Sequence, residues 1–268
     1  MKLLLPVDLR SDADVVVARA IPWAAALGAT VDVLFVAEDF SADDQDVLQT
    51  LLNRFPERLR GQAVVHASAK VAAAVGHLST RYEVVAVGAA RDPAAAPFWL
   101  GSVSERVART CPASVLVLRG PAPRTPAPRL LFAVDPTTDN DPLLAAVARW
   151  AARLHAIVDL LIVDEFSLVR HIDEPKWEEM LTRAAATYRT QHLAALADVR
   201  ERMFAPANRG QVFVDPGAAA AAIALRGSDY DLIAVGTHDR GPLARAVLGS
   251  VAERVVRRAN GPVLVVRT

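Results

Sequence analysis

The chain has 268 residues, 53% of them hydrophobic and 22% charged, a composition that supports two packed cores of ordinary domain size and argues against disorder. Lys and Arg together number 30, as do Asp and Glu, so the net charge is zero; a protein that neutralises phosphate backbones carries a basic excess, and no nucleic-acid partner is expected. Cys111 is the only cysteine, which excludes an internal disulfide and suits a reducing compartment.

The N-terminal run Leu3-Leu4-Leu5-Pro6-Val7 ends at Asp8, too early for a signal-peptide core. No stretch approaches the ~18 uninterrupted apolar residues of a spanning helix. The expectation is a soluble cytoplasmic protein with no membrane partner.

That first run reads as a strand covered on both faces. A helical segment follows from Ala13 to Leu27 and stops at Gly28. A second strand is expected over Thr30–Val36, then a charged helix, a weaker strand at Ala63–His66, and an Ala-rich helix. A fourth strand, Val84–Gly88, leads through a loop and helix to a fifth at Ser114–Leu118.

Between Gly120 and Pro128 stand four prolines, which forbid a regular helix or a central strand and mark a linker. Beyond it the plan repeats. Strand-like runs fall at Leu130–Asp135, Ile157–Val163, Gln211–Val214, Leu232–Gly236 and Pro262–Val266. A helix from about Pro142 to His155 follows the first of them, with Asp139 or Asp141 as its candidate cap. The second copy is longer between its second and third strands, and the extra residues around Glu165 to Arg209 predict an extended or additional helix. The division is a domain over 1–120, a linker over 121–128 and a second domain over 129–268. Strands alternating with helices make each an α/β, doubly wound parallel-sheet unit.

After the fourth strand both copies keep one spacing. The second reads Gly236-Thr237-His238-Asp239, nine residues, then Gly249-Ser250; the first reads Gly88-Ala89-Ala90-Arg91, nine residues, then Gly101-Ser102. This places a loop at the carboxyl end of a strand and a Gly-Ser pair at a helix start, where free amides and the positive helix end suit an anion.

With an Asp closing strand one, at Asp8 and Asp135, and Pro-Val-Leu-Val in the last strand, this ordered set resembles the universal stress protein family. The likeness runs through both copies and is closest from Asp231 to Arg267. The resemblance implies two Rossmann-like, adenine nucleotide alpha-hydrolase-like domains of strand order 3-2-1-4-5, paired through their fifth strands as a pseudo-dimer. It also implies a Gly-x2-Gly-x9-Gly-Ser/Thr loop in members that bind ATP.

Carried over, Asp135, Gly236, Gly249 and Ser250 form one candidate nucleotide site, for ATP with magnesium, and Asp8, Gly88, Gly101 and Ser102 form a second, degenerate one. Both copies depart at the second glycine of the loop, which is Asp239 or Arg91. A side chain there obstructs the approach of backbone to phosphate, and Asp239 adds a charge of the wrong sign.

The remaining candidates read as ordinary structure. His238 is a solvated loop histidine, His171, Asp173 and Glu174 lack a ligand spacing, and Cys111 is a small packing residue. Arg254, Arg257 and Arg258 make a surface helix face. No nucleophile–base pair or metal set is nominated. The expected function is a stress-response protein, non-catalytic or weakly catalytic, with an adenine nucleotide in the second copy and a homodimer as a further assembly. A structural or partner-binding module with both sites lost, and a slow nucleotide hydrolase, stay open as alternatives.

Overall fold

The computed structural model describes residues 1–89, 102–120, 123, 127–136, 140–165, 175–237 and 248–268. The first copy contributes strands β1 (Lys2–Val7), β2 (Thr30–Ala37), β3 (Arg60–Ala67), β4 (Val84–Gly88) and β5 (Ser114–Leu118). The second contributes β6 (Arg129–Ala133), β7 (Ile157–Asp164), β8 (Arg209–Pro216), β9 (Leu232–Gly236) and β10 (Val263–Val266).

Within each copy neighbouring strands are parallel and the order is the expected 3-2-1-4-5. The two sheets are continuous. β10 pairs antiparallel with β5, setting Val263 opposite Val117, Leu264 opposite Leu116 and Val265 opposite Val115, so ten strands form one sheet in the order β3-β2-β1-β4-β5-β10-β9-β6-β7-β8. β5 and β10 are buried along their whole length, as strands with a helix layer on each face must be.

Alternate strand residues point to opposite faces, and each face has its own core. On one face Leu3, Leu5, Leu130 and Phe132 pack under α1 (Ala13–Leu27), α2 (Ala42–Asn53), α5 (Asp141–Leu154) and α6 (Pro175–Met203). On the other Leu4, Val85, Leu131 and Ile233 pack under α3 (Val71–Leu78), α4 (Ser102–Thr110), α7 (Ala219–Arg226) and α8 (Ser250–Arg258). Cys111 is fully buried in this second core as a free thiol, and burial pushes its pKa up, as expected of a packing residue.

The joint carries a reciprocal clasp. Arg119, next after β5, donates from Nη1 to the carbonyls of Ala259 at 2.7 Å and Arg257 at 3.3 Å, at the end of α8. Arg267, next after β10, donates from Nη2 to Ala108 at 2.9 Å and Arg109 at 3.1 Å, in the last turn of α4. Each copy thus sends a cation to the negative end of the other copy's last helix, where carbonyls lack intrahelical donors. Arg257 adds a bridge to Glu105 of α4, so it is an inter-copy contact rather than the plain surface residue expected.

Among the described residues the two copies differ most in one element. α2 has 12 residues and α6 has 29, and both end on a short turn that leads into β3 or β8. The lengthening is therefore all at the N-terminal end of α6, and carries it by about 25 Å beyond the reach of α2, towards the carboxyl ends of the strands. Of the expected extra residues, those described from Pro175 to Met203 form one extended helix.

Both copies also bury an aspartate in the second strand. Asp32 accepts Tyr82 Oη at 2.8 Å and the Gln62 amide at 2.8 Å. Asp159 accepts Tyr230 Oη at 2.7 Å, the Gln211 amide at 2.6 Å, and the guanidinium of Arg129. A Cβ at Gly61 or Gly210 would overlap the carboxylate, so glycine beside it is a packing requirement. Burial first, and then the bonded aspartate, push both phenols above their ordinary pKa.

The capping of α5 departs from expectation. Its N-cap residue is Asn140, and Asp141 is the first helical residue; Asp139 lies outside the described residues. The Asn140 amide bonds the Asp135 carbonyl at 2.6 Å instead of a helix amide. β10 begins one residue later than expected, at Val263.

Three outcomes follow from these contacts. Arg119→Ala and Arg267→Ala each lower the unfolding free energy by about 2 kcal/mol in denaturant titration, the scale of a charge-assisted bond to a buried carbonyl. The two losses add, because six strand residues hold the arginines about 20 Å apart.

α1 and α5 both end in a left-handed residue, Gly28 at φ 57° and His155 at φ 50°. His155→Gly removes a Cβ from that conformation and raises stability by about 0.5–1 kcal/mol.

A phenol whose folded pKa is raised stabilises the fold below its unfolded pKa of about 10, and that stability is lost as the pH climbs past it. The double variant Tyr82→Phe/Tyr230→Phe therefore loses less stability between pH 9 and pH 11 than the wild type.

Candidate functional site at the strand ends

β6 and β9 are neighbours, and the second copy's site is built where they end. Past β6 the chain runs through Val134, whose amide bonds the Leu161 carbonyl at 2.8 Å, to a half-buried Asp135. β9 ends at Gly236, where a Cβ would overlap the side chain of Leu143 in α5. Glycine is therefore what lets the first turn of α5 sit directly on the end of β9.

α8 begins at Ser250 with Gly249 as its N-cap in extended conformation, φ −63° and ψ 155°, and with no side-chain cap. Its first intrahelical bond runs from the Glu253 amide to the Gly249 carbonyl at 2.8 Å. The amides of Ser250, Val251 and Ala252 thus precede the helical ladder and carry the positive end of the helix.

These parts enclose a cavity of about 680 Å³, within the range of small-molecule sites. Asp135, Gly236, Gly249 and Ser250, the four residues nominated from sequence in this copy, all line it. The apolar wall comes from Leu143, Leu161, Val163, Ile223 and Leu248. Glu165 stands at the rim and accepts the Ala219 amide at 3.0 Å, at the start of α7.

Tyr188 of α6 also lines the cavity, and sequence reasoning had not singled it out. Burial raises its phenol, and the carboxylates of Asp164 and Asp135 raise it further. One ring face stacks on His192, with centroids 3.8 Å apart. The signal in the sequence was the added length before strand three together with a tyrosine; which tyrosine would face the strand ends required the helix phase and position.

In the first copy Asp8 is exposed and accepts the Arg10 amide at 2.9 Å. Gly88 ends β4 beside it, and a Cβ there would overlap Val16 of α1, the counterpart of the Leu143 contact. α4 begins at Ser102, and Ser104 Oγ donates to the Gly88 carbonyl at 2.7 Å. Gly101, Arg91, His238, Asp239, His171, Asp173 and Glu174 lie outside the described residues. Among the described residues no group of three or more His, Cys, Asp or Glu could hold a metal ion.

The fold has solved relatives of nearly the same length. A universal stress protein from Archaeoglobus fulgidus DSM 4304 superposes with a TM-score of 0.68 at 20% identity, covering 99% of this chain and 96% of that one. A functionally unknown protein from Pseudomonas aeruginosa PAO1 superposes with a TM-score of 0.66 at 16% identity, covering 99% and 92%. No curated protein sequence matches the chain. The universal stress protein family model matches residues 127–267, just over half of the chain and all of the strands, glycines and helix start that enclose the cavity. The chain belongs to the universal stress protein family.

Proposed function

We propose that the chain is a two-domain stress-response protein, domains 1–120 and 129–268, that binds an adenine nucleotide in the cavity of the second. One observation carries this: residues far apart in sequence, Asp135, Gly236, Gly249 and Ser250, converge on one cavity at the bare start of α8. A helix start with uncapped amides suits phosphate oxygens, and Asp135, at the end of the neighbouring strand, suits the hydroxyls of a ribose. Magnesium would come with the phosphates. The fifth strands pair inside the chain, so a homodimer would have to use another surface. No described helix is long and apolar enough to cross a membrane; the cytoplasm is the proposed location, on the single buried thiol.

A second reading, a structural or partner-binding module without ligand, has one observation in its favour. Gly88 and Gly236 are each required by the packing of Val16 and Leu143, so a glycine at that place is explained without phosphate.

Thermal melting separates the two. If nucleotide binds, ATP at about a hundred times its Kd stabilises the fold by about 2.7 kcal/mol, a shift of several degrees. Ser250→Glu places a carboxylate in the first turn of α8, which favours the helix but repels an anion. It should melt at or above the wild-type temperature and show no shift with ATP. No shift in the wild type, with or without magnesium, selects the module.

A further inference from the structure

The copies run against one another, so at one border of the sheet the start of α4 lies on the side where α8 and α7 end. α4 and α8 touch across the seam. Arg257 Nη2 bonds Glu105 of α4 at 2.5 Å and Glu253 of its own helix at 2.8 Å. One arginine thus engages the carboxylates of both helices, since neither helix has another acidic residue.

Four more arginines are exposed on the same pair of helices, Arg106 and Arg109 on α4 and Arg254 and Arg258 on α8. None of them has a carboxylate partner among the described residues; the Arg254 side chain bonds the Ser250 carbonyl of its own helix at 3.1 Å. Arg106 and Arg109 are three residues apart and Arg254 and Arg258 four, spacings that make like charges neighbours and cost a helix stability. The negative helix end compensates for Arg109 and Arg258, which stand in the last turn. Arg106 and Arg254 stand a turn earlier and gain little from it. The face carries an excess of guanidinium over carboxylate, in a chain whose net charge is zero.

Apolar side chains lie at the same border. Val103, in the first turn of α4, is 42% exposed, and Leu225, in the last turn of α7, is 78% exposed, the highest value among the large hydrophobic residues described. α7 packs against α8 and runs the same way, because each helix returns from the end of one parallel strand to the start of the next.

These features together favour one kind of partner. Arginine takes carboxylates in a planar fork and is the cation enriched at protein interfaces. A phosphate polymer carries its charge continuously, so it would have to cross Glu105 and Glu253, and it would leave Val103 and Leu225 uncovered. A protein segment with spaced carboxylates and apolar side chains avoids both costs.

We propose that the outer face of α4 and α8, with the end of α7, docks an acidic amphipathic segment of a partner protein. Arg106, Arg109, Arg254 and Arg258 take its carboxylates, and Val103 and Leu225 take its apolar side chains. None of these six residues lines the cavity, so this docking surface stands independently of nucleotide binding.

Fluorescence anisotropy on the full chain tests this with a labelled peptide of four Glu-Leu-Ala-Glu repeats and with its counterpart in which every Glu is Gln. The wild type should bind the acidic peptide at least about tenfold more tightly than the Gln peptide, with affinity falling as salt rises. Arg106→Gln/Arg258→Gln should weaken the acidic peptide at least about fivefold, and Leu225→Ser at least about threefold. Arg149→Gln/Arg153→Gln removes the same charge from the exposed side of α5, on the opposite face of the sheet, and should bind within about twofold of the wild type. All of these are surface substitutions, and unchanged melting temperatures will show that the fold is kept. A wild type that does not bind the acidic peptide at about 1 mM, or that binds the Gln peptide equally well, overturns the proposal. So does an equal loss in the α5 variant. A labelled DNA duplex that binds more tightly than the peptide and is insensitive to Leu225→Ser assigns the face to a polyanion and also overturns it.

Discussion

The antiparallel pairing of β5 with β10 is the contact on which the rest of the architecture depends. Alone, each five-stranded sheet would end at its fifth strand with an unpaired, apolar edge, the kind of surface that invites aggregation. Joined, the two edges satisfy each other, and Val115, Leu116, Val117, Val263, Leu264 and Val265 become the centre of a ten-stranded sheet. Burying those strands on both faces requires helices from both copies to meet above and below the seam, and the cross-copy bonds of Arg119, Arg267 and Arg257 hold the helix ends there.

The same pairing fixes where the clefts can be. Strands within a copy are parallel, and the copies run against one another, so the carboxyl ends of β1–β5 and of β6–β10 lie at opposite borders of the sheet. The two motif clefts cannot share a ligand or lend each other a side chain. Each must be complete in itself, and the duplicated chain is free to specialise one of them. The lengthened α6 and the guanidinium added to buried Asp159 are both on the second copy, as is the described cavity.

Much of this was legible in the residues. The apolar runs ending in Val-Asp, the helix stop at Gly28 and the repeated Gly-x12-Gly-Ser frame are local signals, each set by backbone geometry within a few residues. They located the strands, and α1 to the residue. Where a neighbour in space decides, local signals were silent or misleading. Asn140 rather than an aspartate precedes α5, because its side chain is needed by the Asp135 carbonyl. Gly236 answers to Leu143 as well as to any phosphate. Asp32 and Asp159 stand within apolar strands, and each is the bonded centre of a buried network whose tyrosine donor lies far along the chain.

From sequence alone come the duplication, the strand and helix periods and the family to which the motif belongs, because periodicity and turn chemistry are properties of short segments. The family resemblance already implied that the fifth strands pair; tertiary structure alone decides the register of that seam, that four scattered motif residues of the second copy share a cavity, and that a tyrosine outside the motif lines it. Those outcomes depend on strand order, on the register across the seam and on the phase of a 29-residue helix, which are relations between distant segments that no single stretch of the chain encodes.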